Sequence, residues 1–298
     1  MKSIKDITKF FAPDYEILGI QDNQYENFSS LNDHQENDII WVREENLANL
    51  QSIIDSVRSK IIVCKNLPEL ICPFGKTLVL VKNPQLFYLR LIKNINELKS
   101  DGKISNTAKI SSLANIGSNV TIEDNCIIGA CTIGDNTIIK ANSIIHDNVE
   151  CGCNVLVSEF CNIGGQGFGH IINENNFLEN MLHIGKVVIE DNVEIFPYTN
   201  VDKATLSETR ICKGSKIDHY CHIGHNTYVG ENVIITAQVV LAGGAKILNK
   251  AFLGVNTKVK DSCIVGENSI TGMGSVVVCN IPSNEVWAGI PAKFLKRN

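Results

Sequence analysis

No run of lysine or arginine occurs in the 298 residues, and the formal net charge is −5. Binding to a phosphate backbone needs concentrated positive charge, so nucleic acid is excluded as a partner, whereas a nucleotide carrying a few phosphates is not. No segment approaches the roughly 18 apolar residues of a membrane-spanning helix. The opening stretch MKSIKDITKFFAPDYEILGI also lacks the apolar run of a secretion signal. These absences predict a cytoplasmic protein with no integral membrane segment. With 44% hydrophobic and 20% charged residues, the composition is that of an ordinary globular chain, long enough for one large domain or two modest ones.

What the sequence has is a rhythm of six. From Ile211 to Val277 an aliphatic residue returns at every sixth position, Thr271 being the one exception, and four positions later comes a small or β-branched residue such as Ser215, Cys221 or Thr227. Neither a helix nor a simple strand has this period; a parallel β-helix does, because each hexad supplies one short strand and a turn, and three hexads close a triangular coil. At 18 residues per coil and about 4.8 Å between strands, the hexads from Ile104 onward predict eight or nine coils in a prism about 40 Å long. One residue is missing after Ile128, which should tighten a corner. The flat, weakly charged faces predict a closed cyclic homotrimer with binding clefts between subunits.

The first hundred residues lack the period and read as an α+β unit. NDIIWV, KIIVC and TLVLVK are predicted strands, LANLQSIIDSV a helix between the first two, and PQLFYLRLIKNINEL a helix opened by Pro84. The expected organisation is therefore mainly β, with a domain over 1–100, a β-helix over 101–281 and a short tail over 282–298. Two interruptions mark where a regular solenoid builds sites. One is the loop Gly164 to His183, which begins GGQGFGH; the other is VDKATLSETR, ten residues starting at Val201 in place of six.

Eleven cysteines would form a disulfide framework in a small secreted chain, but this chain is neither. Cys126, Cys161, Cys221 and Cys263 occupy the small position of a hexad and Cys151 the aliphatic one, so they read as reduced packing residues. Cys151 and Cys153 are spaced too closely for a CxxC and no second pair exists, so no metal site is expected from them.

His219, His222 and His225 stand three apart in IDHYCHIGHN. Any one of them is compatible with a solvated turn. Adding one coil to His225 lands on Gly243 in LAGGAK, which stacks the two residues on one edge. A neutral imidazole can take a proton from an attacking amine or hydroxyl, and a glycine one coil away can offer its backbone N–H to an oxyanion. Gly243 and Gly244 also let a long acyl or pantetheine arm lie close to the backbone. GGQGFGH follows a hexad without opening a helix, so it is not a dinucleotide fingerprint.

The ordered set VKNPQLFYLRLI, GGQGFG, HIGKVVIEDNVEI, NVDKATLSET, KIDHYCHIGHN, LAGG and TGMG with GIP resembles the bacterial UDP-3-O-acylglucosamine N-acyltransferases of lipid A synthesis, within the hexapeptide-repeat acyltransferases. The resemblance implies a left-handed β-helix, a homotrimer, and acyl transfer from a thioester to a sugar amine. It places His225 as general base and Gly243 as backbone oxyanion donor. His222 matches a histidine that binds substrate in related O-acyltransferases. In the first domain the family grips uracil with two aromatic residues and an asparagine; the matching WVREENL keeps Trp41 but has Glu44 and Leu47 at the other two positions. A further family histidine is Ser262 here. The tail AGIPAKFLKRN resembles coenzyme A-dependent hexapeptide acetyltransferases more than the family's terminal helices.

The expected function is an N-acyltransferase on a nucleotide-linked amino sugar. Its co-substrate is an acyl thioester of acyl carrier protein or coenzyme A, and no tightly bound cofactor is expected. Around the base, Gly167 and Phe168 are candidates for a loop bordering the sugar or thioester arm, Asp202 for a sugar contact, and Gly244 and Lys293 for contacts to coenzyme A. Three alternatives stay open: a coenzyme A-dependent N-acetyltransferase for surface polysaccharide, a zinc hydratase with interfacial histidines, and a non-catalytic scaffold.

Overall fold

The structure, a computed structural model, describes residues 2–4, 15–96 and 98–298. The chain divides after Leu98 into two units, each with its own core. Residues 5–14 of the opening stretch and Glu97 of the second predicted helix lie outside the described residues. Among the described residues no helix is long and apolar enough to cross a membrane.

In the first unit a five-stranded sheet runs in the order Tyr15–Gly19, Thr77–Val81, Ile61–Lys65, Asp38–Trp41, Asn27–Phe28, parallel except for the first pair. Alternate residues of a strand face opposite ways. Ile39, Ile61 and Val79 therefore pack with Phe87, Tyr88 and Leu91 of the helix Pro84–Asn96, while Ile40, Ile62 and Leu78 pack with Leu50 and Ile54 of the helix Leu50–Ser56. Burial on both faces is why these strands read as unbroken apolar runs. The edge strands Tyr15–Gly19 and Asn27–Phe28 gave no such signal because they are partly exposed. Leu47, expected inside one continuous helix, lies in a 3₁₀ turn, Glu44–Asn49; Asn49 leaves the helical region at φ −114°, so turn and helix do not merge.

The second unit is a parallel β-helix of three sheets. Coils pair in strict register, Ile223 with Leu241 and Leu241 with Val259, so each inward aliphatic residue stacks on its like and is nearly solvent-free. One sheet carries nine strands, from Lys109–Ile110 to Val276–Val277. Thr271, the polar exception, is buried too, and its hydroxyl accepts the Gly254 N–H at 3.2 Å and pairs with the Thr257 hydroxyl at 2.9 Å. No bare polar group results. Corners take a left-handed residue, most often asparagine, as at Asn226 (φ 60°) and Asn232 (φ 53°). The residue missing after Ile128 shortens the corner at Gly129, where a Cβ would collide with the Asp147 carboxylate.

Both interruptions return the chain to register. Asn162 stacks on Asn200 across 38 residues and Asn200 on His222 across 22. The first excursion contains an exposed antiparallel hairpin, His170–Ile172 with Leu178–Asn180. The segment expected as a separate tail instead extends the solenoid: Glu285–Ala288 pairs in parallel with Ile270–Thr271, and Lys293–Arg297 folds back antiparallel upon it. Pairing satisfies an otherwise open strand edge, and the buried Glu285 accepts the Trp287 indole N–H at 2.9 Å and pairs with Arg297 at 2.6 Å.

All eleven cysteines are free thiols. Burial pushes the Cys131, Cys161 and Cys221 thiols up to about 11, well away from the reactive thiolate. Titration of the native chain with a chromogenic disulfide should therefore show one fast thiol, the exposed Cys279, with Cys72 and Cys153 slower. Cys279→Ser should abolish the fast phase, and all eleven thiols should react in denaturant.

Candidate active site at the His225 corner

Ile223 is fully buried and fixes the rotation of its strand, so His225, two residues on, is delivered to the next corner. Pairing of Ile223 with Leu241 sets Gly243 one coil along, and the Gly244 N–H donates to the His225 carbonyl at 2.8 Å. The imidazole lies over Gly243 so closely that a Cβ there would be 2.5 Å from His225 Nε2. Only glycine fits beneath the ring. The Gly243 carbonyl accepts the Ser262 N–H at 3.1 Å, which orients the peptide, and the Gly243 N–H donates to no acceptor among the described residues.

The tautomer of His225 follows from its partners. Nδ1 lies 3.0 Å from Asn226 Oδ1, and that oxygen also accepts the N–H and Oγ1–H of Thr205 at 3.1 and 3.0 Å. Three donors converge on one amide oxygen, so the amide orientation is set and His225 Nδ1 carries the proton. Nε2 is left with a free lone pair, close to Gly243. Thr205 belongs to the ten-residue interruption at Val201, which thus supports the histidine through Asn226.

A polar column runs along the neighbouring sheet face. His146 Nε2 meets Asn162 Oδ1 at 2.8 Å, Asn162 Nδ2 donates to Asn200 Oδ1 at 2.7 Å, and Asn200 Nδ2 donates to Asp202 Oδ1 at 2.6 Å and lies 3.1 Å from His222 Nδ1. His222 Nε2 approaches Asp202 Oδ2 at 3.7 Å. Asp202 is only 6% exposed, so a carboxylate has been drawn out of water beside the histidines. His222 and Asp202 were expected near the site; His146, Asn162 and Asn200 were not. The signal was available, since Asn162, Asn200 and His222 each precede an inward aliphatic residue and share one hexad slot.

The remaining candidates are placed unevenly. Gly167 is buried against His183, a residue that sequence reasoning treated only as the end of a loop; the His183 ring lies 4.7 Å from that of His225. Phe168 is 84% exposed and packs on His170 of the hairpin rather than walling the His225 corner. Gly244, at φ 70°, serves the backbone bond to His225. Lys293 lies in the last strand of the ten-stranded sheet, five strands along from Lys216–Ile217 of the His225 coil, so the fold does not bring it to the base. His219 stands on another edge, bonded through Nδ1 to Asp218 at 2.6 Å. Among the described residues no three His, Cys, Asp or Glu side chains are grouped to hold a metal ion.

The first unit has a cavity of about 480 Å³ lined by Trp41, Val42, Arg43, Glu45, Asn83, Pro84 and Gln85. Its size suits a small ligand. The Arg43 guanidinium stands over the Trp41 ring, 5.6 Å from its centroid, so a planar group stacking on Trp41 would meet a cation.

The model of the bacterial transferase hexapeptide, six repeats, matches residues 208–243, the stretch that contains His225 and ends at Gly243. The UDP-3-O-acylglucosamine N-acyltransferase 2 of Rhodopseudomonas palustris is 37% identical over 144 residues, 48% of this chain and 38% of that protein. The UDP-3-O-acylglucosamine N-acyltransferase of Campylobacter jejuni is 32% identical over 136 residues, 46% of this chain and 42% of the relative. The chain thus spans less than half the length of the curated relatives it matches. Among solved structures, the UDP-N-acetylglucosamine acyltransferase of Francisella novicida superposes with a TM-score of 0.60 at 25% identity, over 66% of this chain and 71% of that one.

The chain carries bacterial transferase hexapeptide repeats and is similar, over part of its length, to these acyltransferases. Its solenoid is the left-handed parallel β-helix, and the polar column lies along the sheet that leads to the His225 corner. Asn200→Leu should remove the hydrogen bond to buried Asp202 and destabilise the β-helix by about 1–3 kcal/mol, read as a lowered thermal midpoint relative to the unaltered chain.

Proposed function

We propose that the chain is an N-acyltransferase that moves an acyl group from a thioester to the amine of a nucleotide-linked amino sugar. The observation that carries this reading is the pairing of a His225 Nε2 lone pair, its tautomer set by Asn226, with the unengaged N–H of Gly243. The neutral sugar amine attacks the thioester carbonyl; the oxyanion that forms is held by the Gly243 N–H, and His225 Nε2 takes the proton released by nitrogen. Collapse of the tetrahedral intermediate breaks the carbon–sulfur bond, and the imidazolium returns its proton to the departing thiolate. Amide and free thiol are the products.

Support comes from the relatives, which are named for acyl transfer to UDP-linked sugars. Trp41 in the first unit is the stacking surface for the nucleotide base, with Arg43 above it. His222 and Asp202 bind the sugar, and Gly167 and Phe168 border the arm of either substrate. The donor is a pantetheine thioester, the group common to acyl carrier protein and coenzyme A, with Gly244 and Lys293 along its path. The active form is a homotrimer in the cytoplasm, and lipid A synthesis is the pathway.

Transfer from 3-hydroxyacyl carrier protein and from acyl coenzyme A to UDP- and dTDP-linked amino sugars, followed by mass spectrometry of the amide, tests donor and acceptor together. His225→Ala should lower kcat by about 10²–10⁴-fold, and Gly243→Ala, which drives a methyl into the imidazole, by about 10²–10³-fold. Undiminished transfer in His225→Ala would overturn the assigned mechanism with any donor.

A further inference from the structure

His183 is the one buried histidine among the described residues, 2% exposed, and it closes the long excursion that carries the hairpin. Its Nδ1 lies 2.9 Å from the Met181 carbonyl oxygen. A carbonyl can only accept, so Nδ1 carries the proton, and the exposed Gln166 amide nitrogen 3.2 Å from the same atom, itself a donor, makes no bond to it in that tautomer. Nε2 is then a bare acceptor, and it is buried with no partner. A histidine in that state is unfavourable for folding alone, since a phenylalanine or leucine would leave no polar atom unpaired. Something other than core packing retains it.

The neighbour that explains the ring is His225. Their centroids are 4.7 Å apart with planes at 66°, the edge-to-face arrangement that flat π-systems prefer. A Cβ on Gly167 would sit 2.7 Å from His183 Nε2, and one on Gly169 3.3 Å from its Cε1, so the two loop glycines let the excursion close over the imidazole. His183 is thereby clamped by the Met181 carbonyl, the loop backbone and His225. His225 itself has a single side-chain bond, at Nδ1 to Asn226. One bond at one end of a ring leaves rotation about its axis; a second ring against it removes that freedom.

We propose that His183 is a positioning residue for His225: it fixes the plane of the imidazole so that Nε2 stays over the Gly243 amide, and it couples the 164–183 excursion to the base. The proposal deepens the reading of His225 as general base and rests on it for its kinetic consequence. Its structural content, a ring holding a ring, does not.

Three variants of the full chain separate the contributions. His183→Ala removes everything, His183→Phe keeps the ring without the nitrogens, and His183→Asn keeps an N–H for Met181 without the ring. With UDP-3-O-acylglucosamine and the thioester that supports turnover of the unaltered chain, His183→Ala should lower kcat by about 10- to 100-fold, because small misplacements of a catalytic group cost that much, and should leave KM for the sugar within about threefold. His183→Phe should recover most of kcat and His183→Asn should not. In long-range ¹H–¹⁵N spectra of histidine-labelled protein, the His225 ring signals in His183→Phe should match those of the unaltered chain and in His183→Ala should shift or broaden, while the Nδ1–H tautomer set by Asn226 persists in both. An unchanged kcat and unchanged His225 signals in His183→Ala would overturn the proposal, as would rescue by Asn and not by Phe. If His225→Ala itself retained activity, the base assignment would fail while the spectra still tested the ring contact.

Discussion

The register between successive coils is the constraint on which the rest of the molecule depends. Each coil buries its inward aliphatic residues on those of the coil before it, Ile223 on Val201 and under Leu241, and a slip of one residue would turn every anchor outward. Because that cost is incurred along the whole solenoid, the outward residues inherit their positions without having to hold them. His225 meets Gly243, and Asn162, Asn200 and His222 form a column, as a consequence of packing that none of these residues provides.

A regular coil can bring together only groups on one edge or face, one repeat apart. The candidate site uses more than that, and the extra groups come from the two places where the repeat is broken. Thr205, in the shorter interruption, holds Asn226 and through it the tautomer of His225. His183, at the end of the longer one, lays its ring against the same imidazole. The relatives that this chain resembles differ in the sugars they are named for, which is expected if the solenoid supplies a fixed frame and the interruptions supply the particulars.

The period of six and the inward and corner slots were legible from residue types alone, because a buried triangular coil accepts few side chains at either position. The pairing of His225 with Gly243 was legible for the same reason, being a matter of counting. The edge strands Tyr15–Gly19 and Asn27–Phe28 were not, since a half-exposed strand carries no distinctive pattern. Nor was the fate of the last seventeen residues, which pair onto the sheet through hydrogen bonds that any sequence could make.

By itself the sequence determined the solenoid, its repeat and the edge that carries the candidate base, since these follow from local side-chain size and apolarity repeated at a fixed interval. Tertiary structure alone decided that His183 reaches that base, that Thr205 supports it, and that Phe168 and Lys293 do not stand beside it. The path of an interrupted loop is set by contacts between residues far apart in the chain, for which no periodic signal exists.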